Sequence, residues 1–312
     1  MIRTYPKVGV LISTCNGEKY IRQLLHSVCS QIYPDIKIFI RDDGSLDNTP
    51  DIVSNYQTEF ETEIRSGSNL GPMQSYMDLL SRACPQVEYI AFCDQDDIWK
   101  PDKVGRAVSK LQQHSPRGLP ALYFSSYAPV DADLNSIHPP FTIKRETGFS
   151  NALVQNIVKG CTSVINREAG KLILSNLPDS RKIVMHDWWI YLVISSLGRV
   201  IYDPEITMMY RRHSLNTMDG EDRLLTFWKN RLRRYLFEDH LSFIHLQVKE
   251  FLNRFGDRIS PSDRNLATEF LQSEESLLGS IRYAVKGSAR HQSLLDNIAF
   301  RTYQVLRHRR RK

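Results

Sequence analysis

The chain has 312 residues, 41% hydrophobic and 24% charged, an ordinary globular make-up that sets disorder aside and suffices for one large domain or two smaller ones. With 41 Lys and Arg against 35 Asp and Glu, the formal charge is +6, which favours acidic partners such as nucleotide phosphates, anionic lipid or nucleic acid. Five cysteines without a CxxC pair speak for buried thiols in a reducing compartment and against a zinc site, and no stretch reaches the roughly 18 apolar residues of a membrane span.

KVGVLIST (7–14) is rich in β-branched residues and reads as a buried strand. The apolar run at this end is too short for the core of a signal peptide, so the expectation is a cytoplasmic protein, at most peripheral at the inner face of the cell membrane. Ile21, Leu24, Leu25 and Val28 then recur at the spacing of a helix face within 17–31. DIKIFIRDDGS (35–45) predicts a second strand closed by a turn, and 48–60 a second helix. A third helix over 70–84 leads into a third strand, EYIAFCD (88–94). This alternation predicts an α/β fold, a mainly parallel sheet with helices on both faces. Beyond it come a helix at 102–114, a strand at 121–131, a polar Pro-rich loop near 135–147 and a mixed stretch up to RRHSLNT. From about residue 220 the pattern turns helical and repeatedly basic, which divides the chain into 1–219 and a helical carboxyl-terminal region, 220–312.

Two acidic clusters close predicted strands: Asp42 and Asp43 the second, Asp94, Asp96 and Asp97 the third. Either cluster alone reads equally as a helix cap or an Asx-turn. Right-handed crossovers, however, bring such strand ends into one crevice, and that is where open α/β sheets bind ligands. Several carboxylates in one cleft repel unless a cation or a donor enters, and Mg²⁺ or Mn²⁺ takes one or two carboxylates together with substrate phosphates. Asp94-x-Asp96 would then be a handle for a metal carrying a diphosphate.

STCNGEKYI (13–21), IRDDGSLDNT (40–49), SNLGPMQSY (68–76) and FCDQDDIWKPDK (92–103), in that order and spacing, closely resemble the family 2 inverting glycosyltransferases of GT-A fold. The resemblance is greatest to the bacterial rhamnosyltransferase-like branch of surface polysaccharide synthesis, and it covers roughly residues 5–215. It implies that Ser13 and Asp43 hold the nucleotide base and ribose, with Asn69 and Gly71 near the base. Asp94 would face the ribose or the metal, and Asp96 would ligate the metal. Trp99 and Pro101 would only shape the loop.

Inverting transfer needs a base for the acceptor hydroxyl while the leaving diphosphate is neutralised. In MHDWWIYL, Asp187 opens an apolar aromatic helix; it can cap that helix, act as the base that the resemblance implies, or do both. The resemblance makes His213, in YRRHSLNT, a further metal ligand. Arg211 and Arg212 beside it read as phosphate contacts or as solvated charges. It also sets Thr162, in the Gly160-Cys161-Thr162 segment, on the acceptor side. Cys161 is not expected to be a nucleophile, since direct inversion needs no covalent intermediate, and His186 reads as a local orienting group or as exposed.

DRLLTFWKNRLRRYLF (222–237) has the composition of a basic amphipathic helix, which either packs on its own domain or, helped by RHRRRK (307–312), docks on anionic lipid. Docking suits the acceptor that the resemblance suggests, an undecaprenyl-linked saccharide or other glycan, and no nucleic-acid module accompanies the charge. The expected function is therefore metal-dependent transfer of a sugar from a nucleotide-diphosphate donor, with L-rhamnose from dTDP-rhamnose as the resemblance's choice. A sugar-phosphate nucleotidylyltransferase is disfavoured because no glycine-rich, Arg-containing loop follows the first strand. A catalytically silent nucleotide-sugar-binding scaffold is the alternative of another class, against which the acids and His213 speak.

Overall fold

In the computed structural model, which describes residues 5–212 and 240–310, the first strand (β1, Val8–Thr14) sends Val8, Val10 and Ile12 to one core and Leu11 to another. The strands Ile36–Asp42 (β2) and Tyr89–Asp94 (β4) divide in the same way, Ile36, Ile38, Ile40, Ala91 and Cys93 facing the first core and Phe39, Ile90 and Phe92 the second. Burial on both faces is the reason these stretches read as nearly unbroken apolar runs. Gly9 is needed because a Cβ there would lie 3.1 Å from Val87 and 3.2 Å from the Phe39 ring.

The sheet has eight strands in the order β3-β2-β1-β4-β7-β6-β8-β5, the others being Glu61–Ser66 (β3), Ile98–Trp99 (β5), Ala121–Val130 (β6), Ser163–Asn166 (β7) and Arg199–Arg211 (β8). The first four are parallel, β7 runs antiparallel to both β4 and β6, β8 is parallel to β6, and β5 antiparallel to β8. The sheet is mixed and mainly parallel, as expected. Helices Ile21–Cys29 (α1), Thr49–Ser54 (α2) and Lys103–His114 (α4) cover the first core; Gly71–Ala83 (α3), Arg167–Leu174 (α6) and His186–Leu197 (α7) cover the second. A short helix, Phe149–Ala152 (α5), packs beside α7.

Two local expectations shift. The second helix ends at Ser54, and β3 follows, a strand whose charged sequence ETEIRS hides it from apolar patterning. Its place at the sheet edge accounts for the charges: Glu61 pairs with Lys37 of β2 and Glu63 with Arg82 of α3, which keeps the edge polar.

Apolar on all sides, α7 is covered by a helical carboxyl-terminal region of His240–Phe255 (α8), Pro261–Gln272 (α9), Leu277–Lys286 (α10) and Leu294–Arg310 (α11). Phe251 and Phe255 of α8 set their rings 6.5 and 6.1 Å from Trp189 of α7. Ser260 and Ser276 cap α9 and α10 by accepting the N–H of Asp263 and Gly279. Among the described residues no helix is long and apolar enough to cross a membrane. The boundary expected at 219/220 and the basic stretch 222–237 lie outside the described residues.

Candidate active site

The carboxyl ends of β1, β2 and β4 meet because β1 lies between the other two: Ser13 is in register with Arg41 on one side and Asp94 on the other. Gln95 fastens this corner. Its Oε1 accepts the Thr14 hydroxyl at 2.7 Å and the Cys15 N–H at 2.8 Å, and its Nε2 donates to the Cys15 carbonyl at 3.1 Å. The residue between the two acids of Asp-x-Asp therefore ties β4 to the loop after β1, a role with no signal in the sequence.

Asp43 is buried and its carboxylate accepts the N–H of Leu70 at 3.0 Å and of Gly71 at 2.8 Å, with the Arg41 guanidinium at 3.2 Å. It thereby shapes the turn that carries Asn69 and Gly71. Gly71 adopts φ +76° and a Cβ there would meet nothing within 4 Å, so the glycine answers to backbone conformation and leaves open space in front of the turn. Asn69 is exposed; its Oδ1 accepts the Gly71 N–H at 2.9 Å and its Nδ2 lies 3.5 Å from the Cys15 sulfur. Burial and the carboxylates of Asp43, Asp42 and Asp47 push the Cys15 thiol up, so it stays protonated. From α3, Ser75 bonds the Ser13 hydroxyl at 2.7 Å, and the Tyr76 hydroxyl lies 2.8 Å from both the Asp94 carboxylate and the Cys93 carbonyl.

Among the described residues, Asp94, Asp97 and Cys161 bring ligand-capable atoms within 4.8 Å of one another. Asp97 is fully buried; Oδ1 accepts the Arg211 N–H at 3.2 Å and the carboxyl also meets the Cys161 thiol. Burial, then Asp96 and Asp94, hold its carboxyl well above the usual range. Beneath it Lys103, also fully buried and 4.8 Å over the Trp99 ring, has its pKa pulled down by burial to about 8. The half-buried carboxylates Asp94 and Asp96 are the hard oxygen ligands here that fit a divalent cation such as Mg²⁺ or Mn²⁺. The Cys161 thiol does not, since burial and the neighbouring acids keep it protonated. His213, expected to complete this set, lies outside the described residues.

Arg211 is buried rather than solvated. Its Nε donates to the Asp96 carbonyl at 2.8 Å and Nη2 to Gln23 Oε1 at 2.6 Å, Nη1 donates to the Ala132 carbonyl, and the guanidinium stacks 4.4 Å over Tyr20. The acidic loop is thus strapped to α1, to the end of β6 and to β8.

Asp187 sits half-buried in the first turn of α7, its Oδ2 accepting the Gly160 N–H at 3.1 Å and its Oδ1 the Trp188 N–H at 2.7 Å. The helix amino terminus adds favourable potential for a carboxylate. Gly160 cannot be larger, because a Cβ would come within 2.7 Å of His186 Nε2. His186 is buried, not exposed; its ring lies 4.2 Å from Tyr76, and neither ring nitrogen has a hydrogen-bond partner. Burial lowers its pKa, opposed by Asp187 and Asp94, so the ring is neutral at pH 7. The contact between the Tyr76 and His186 rings, tilted by 33°, thus links the Asp94 corner to the Asp187 corner. Thr162 is buried and its hydroxyl donates to the Lys159 carbonyl at 2.8 Å, closing the turn next to Gly160.

Comparison with known proteins agrees with this architecture. Glycosyl transferase family 2 matches residues 9–169. The dTDP-rhamnosyl transferase RfbG of Shigella flexneri is 30% identical over 220 residues, 66% of this chain and 72% of that one. The crystal structure of S. aureus TarS 1-349 in complex with UDP-GlcNAc superposes with a TM-score of 0.60 at 20% identity, covering 97% of this chain and 79% of that one. The mannosyltransferase PcManGT from Pyrobaculum calidifontis, in complex with GDP-Man and Mn²⁺, gives 0.55 at 17% identity over 97% and 86%. With the sheet order, the acidic strand ends and these likenesses in agreement, the chain belongs to glycosyl transferase family 2 and has the GT-A fold.

Proposed function

We propose that this glycosyltransferase moves a sugar, L-rhamnose from dTDP-rhamnose, onto a glycan or undecaprenyl-linked saccharide in bacterial surface polysaccharide synthesis, with inversion. The observation that supports the reading is that Tyr76 bonds Asp94 through its hydroxyl and packs its ring against His186, the chain neighbour of Asp187. The donor sugar follows the resemblance to the Shigella enzyme. Ser13, Asp43, Asn69 and Gly71 frame the base and ribose; Asp43 contributes by holding the 69–71 turn, which leaves Asn69 exposed and space before Gly71. Asp94, Asp96 and His213 would hold Mg²⁺ or Mn²⁺, which when bound would supply positive charge for the departing diphosphate. Asp187 takes the proton of the acceptor hydroxyl, held by the Gly160 and Trp188 N–H groups, and Thr162 shapes the acceptor side through its turn. The reaction takes place in the cytoplasm, at the inner face of the membrane where a lipid-linked acceptor resides.

The test is to incubate the purified protein with Mn²⁺ or Mg²⁺ and a panel of nucleotide sugars and to follow release of nucleotide diphosphate. Release from dTDP-rhamnose, abolished by Asp187→Asn and Asp96→Ala, is the expected result. Release from no donor, with both variants matching the parent in donor binding, would turn the reading towards a silent scaffold.

A further inference from the structure

Exposed large aliphatic residues are scattered singly over the α/β part but gather on the last two helices. Leu278, Ile281 and Val285 of α10 and Leu294, Leu295 and Ile298 of α11 are between 41% and 80% exposed. On α10 the first three recur at i, i+3 and i+7, one face of a helix whose other side buries Ser280 and Tyr283. Arg282 and Lys286, both exposed, border that face. Tyr283 of α10 and Phe300 of α11 pack against the same ring, Phe270 of α9, at 5.8 and 6.3 Å, so both helices turn their apolar stripes away from it. Arg301 of α11 fixes the pair by donating to the carbonyls of Ala284, at 3.1 Å, and Gly287. A soluble monomer rarely leaves six large aliphatic side chains on two packed helices uncovered.

The charge distribution identifies what would cover it. Residues 277–312 hold nine of the 41 Lys and Arg residues but only one of the 35 acids, Asp296, so the remainder of the chain is slightly acidic, 32 against 34. A second copy would bring like-charged, acid-poor stretches together. An apolar centre bordered by the exposed Arg282 and Lys286, in a stretch with a single acid, is complementary to a bilayer of anionic lipid, which takes the aliphatic side chains below its headgroups and pairs the cations with phosphate.

We propose that the α10–α11 face docks the protein on an anionic phospholipid bilayer. This deepens the membrane location proposed above by naming the surface responsible, and it is tested without turnover, so loss of either reading leaves the other standing. The full chain is sedimented with vesicles of phosphatidylcholine alone and of phosphatidylcholine with phosphatidylglycerol. Binding to the anionic vesicles only is expected, weakened at least tenfold by Leu278→Glu with Val285→Glu and about fivefold by Arg282→Gln. Leu294→Glu with Ile298→Glu should act alike through the second helix, and Ile32→Glu, at a 74% exposed position on the α/β part, should change nothing. Equal binding by parent and both double variants, or none by the parent, overturns the proposal. A lipid-free dimer in sedimentation equilibrium that the α10 variant splits also overturns it, assigning the face to a second copy.

Discussion

At the ends of β1, β2 and β4, polar side chains are tied to several distant segments, whereas Asp187 is held by two neighbouring backbone N–H groups and a wall of rings. Gln95 joins two strand ends, Asp43 joins β2 to the 69–71 turn, and Arg211 joins the acidic loop to α1, β6 and β8. The Asp187 corner rests on the packing of His186, Tyr76 and Phe92. Redundant hydrogen bonds hold the corner at β1, β2 and β4 in place, which would lower the ordering cost of binding a donor there, as the proposed function has it. Asp187, half-buried and bonded through both oxygens, is the carboxylate to which the proposed function gives the role of base.

Substitutions can break this contrast. Asp187→Asn keeps size but removes the proton acceptor and, its NH2 being unable to accept, one of the two backbone bonds, so kcat should fall about a thousandfold, near 4 kcal/mol of barrier, with nucleotide-sugar affinity unchanged in calorimetry. Asp43→Asn should do the reverse. It leaves buried Arg41 without its closest acid and weakens the bonds to Leu70 and Gly71, and about 3 kcal/mol of stability should disappear in urea unfolding together with donor affinity. For Arg211→Lys, a point charge cannot serve the Asp96 and Ala132 carbonyls and Gln23 together; roughly 2 kcal/mol of stability should be lost, with a weaker apparent Mn²⁺ affinity in the same titration.

The smallest effect concerns pH. The folded pKa of His186 lies below its unfolded value of 6.5, so between the two the unfolded chain binds the proton that the folded chain refuses. Stability from this site is therefore complete above 6.5 and declines as pH falls towards the folded pKa. His186→Phe, which can keep the stack on Tyr76, should show a smaller drop in melting temperature between about pH 7.5 and 5.5 than the parent, read by calorimetry.

Much of the α/β part was legible because its signals are local. The apolar strands at 8–14, 36–42 and 89–94, the helix faces of α1, α3 and α4, and the acids after β2 and β4 all declare themselves by composition and period. β3 was illegible since an edge strand can be charged throughout, and α2 stopped six residues short of 48–60 because the chain was needed for that edge. Gln95, Tyr76 and the inward turn of Arg211 carry no pattern at all, each being defined by partners up to 188 residues away. His186, beside a candidate base, looked like a surface or orienting group, and only the packing of α3 and β4 around it made it a neutral buried ring.

What the sequence determined by itself is the alternation of strand and helix and the supply of carboxylates at strand ends, because periodic burial and residue chemistry are properties of short stretches. The tertiary structure alone decided which carboxylates share a crevice, which cation straps the acidic loop, and that the last two helices leave an apolar face outward. Those outcomes depend on which distant segments exclude water from one another, and no single stretch of chain carries that information.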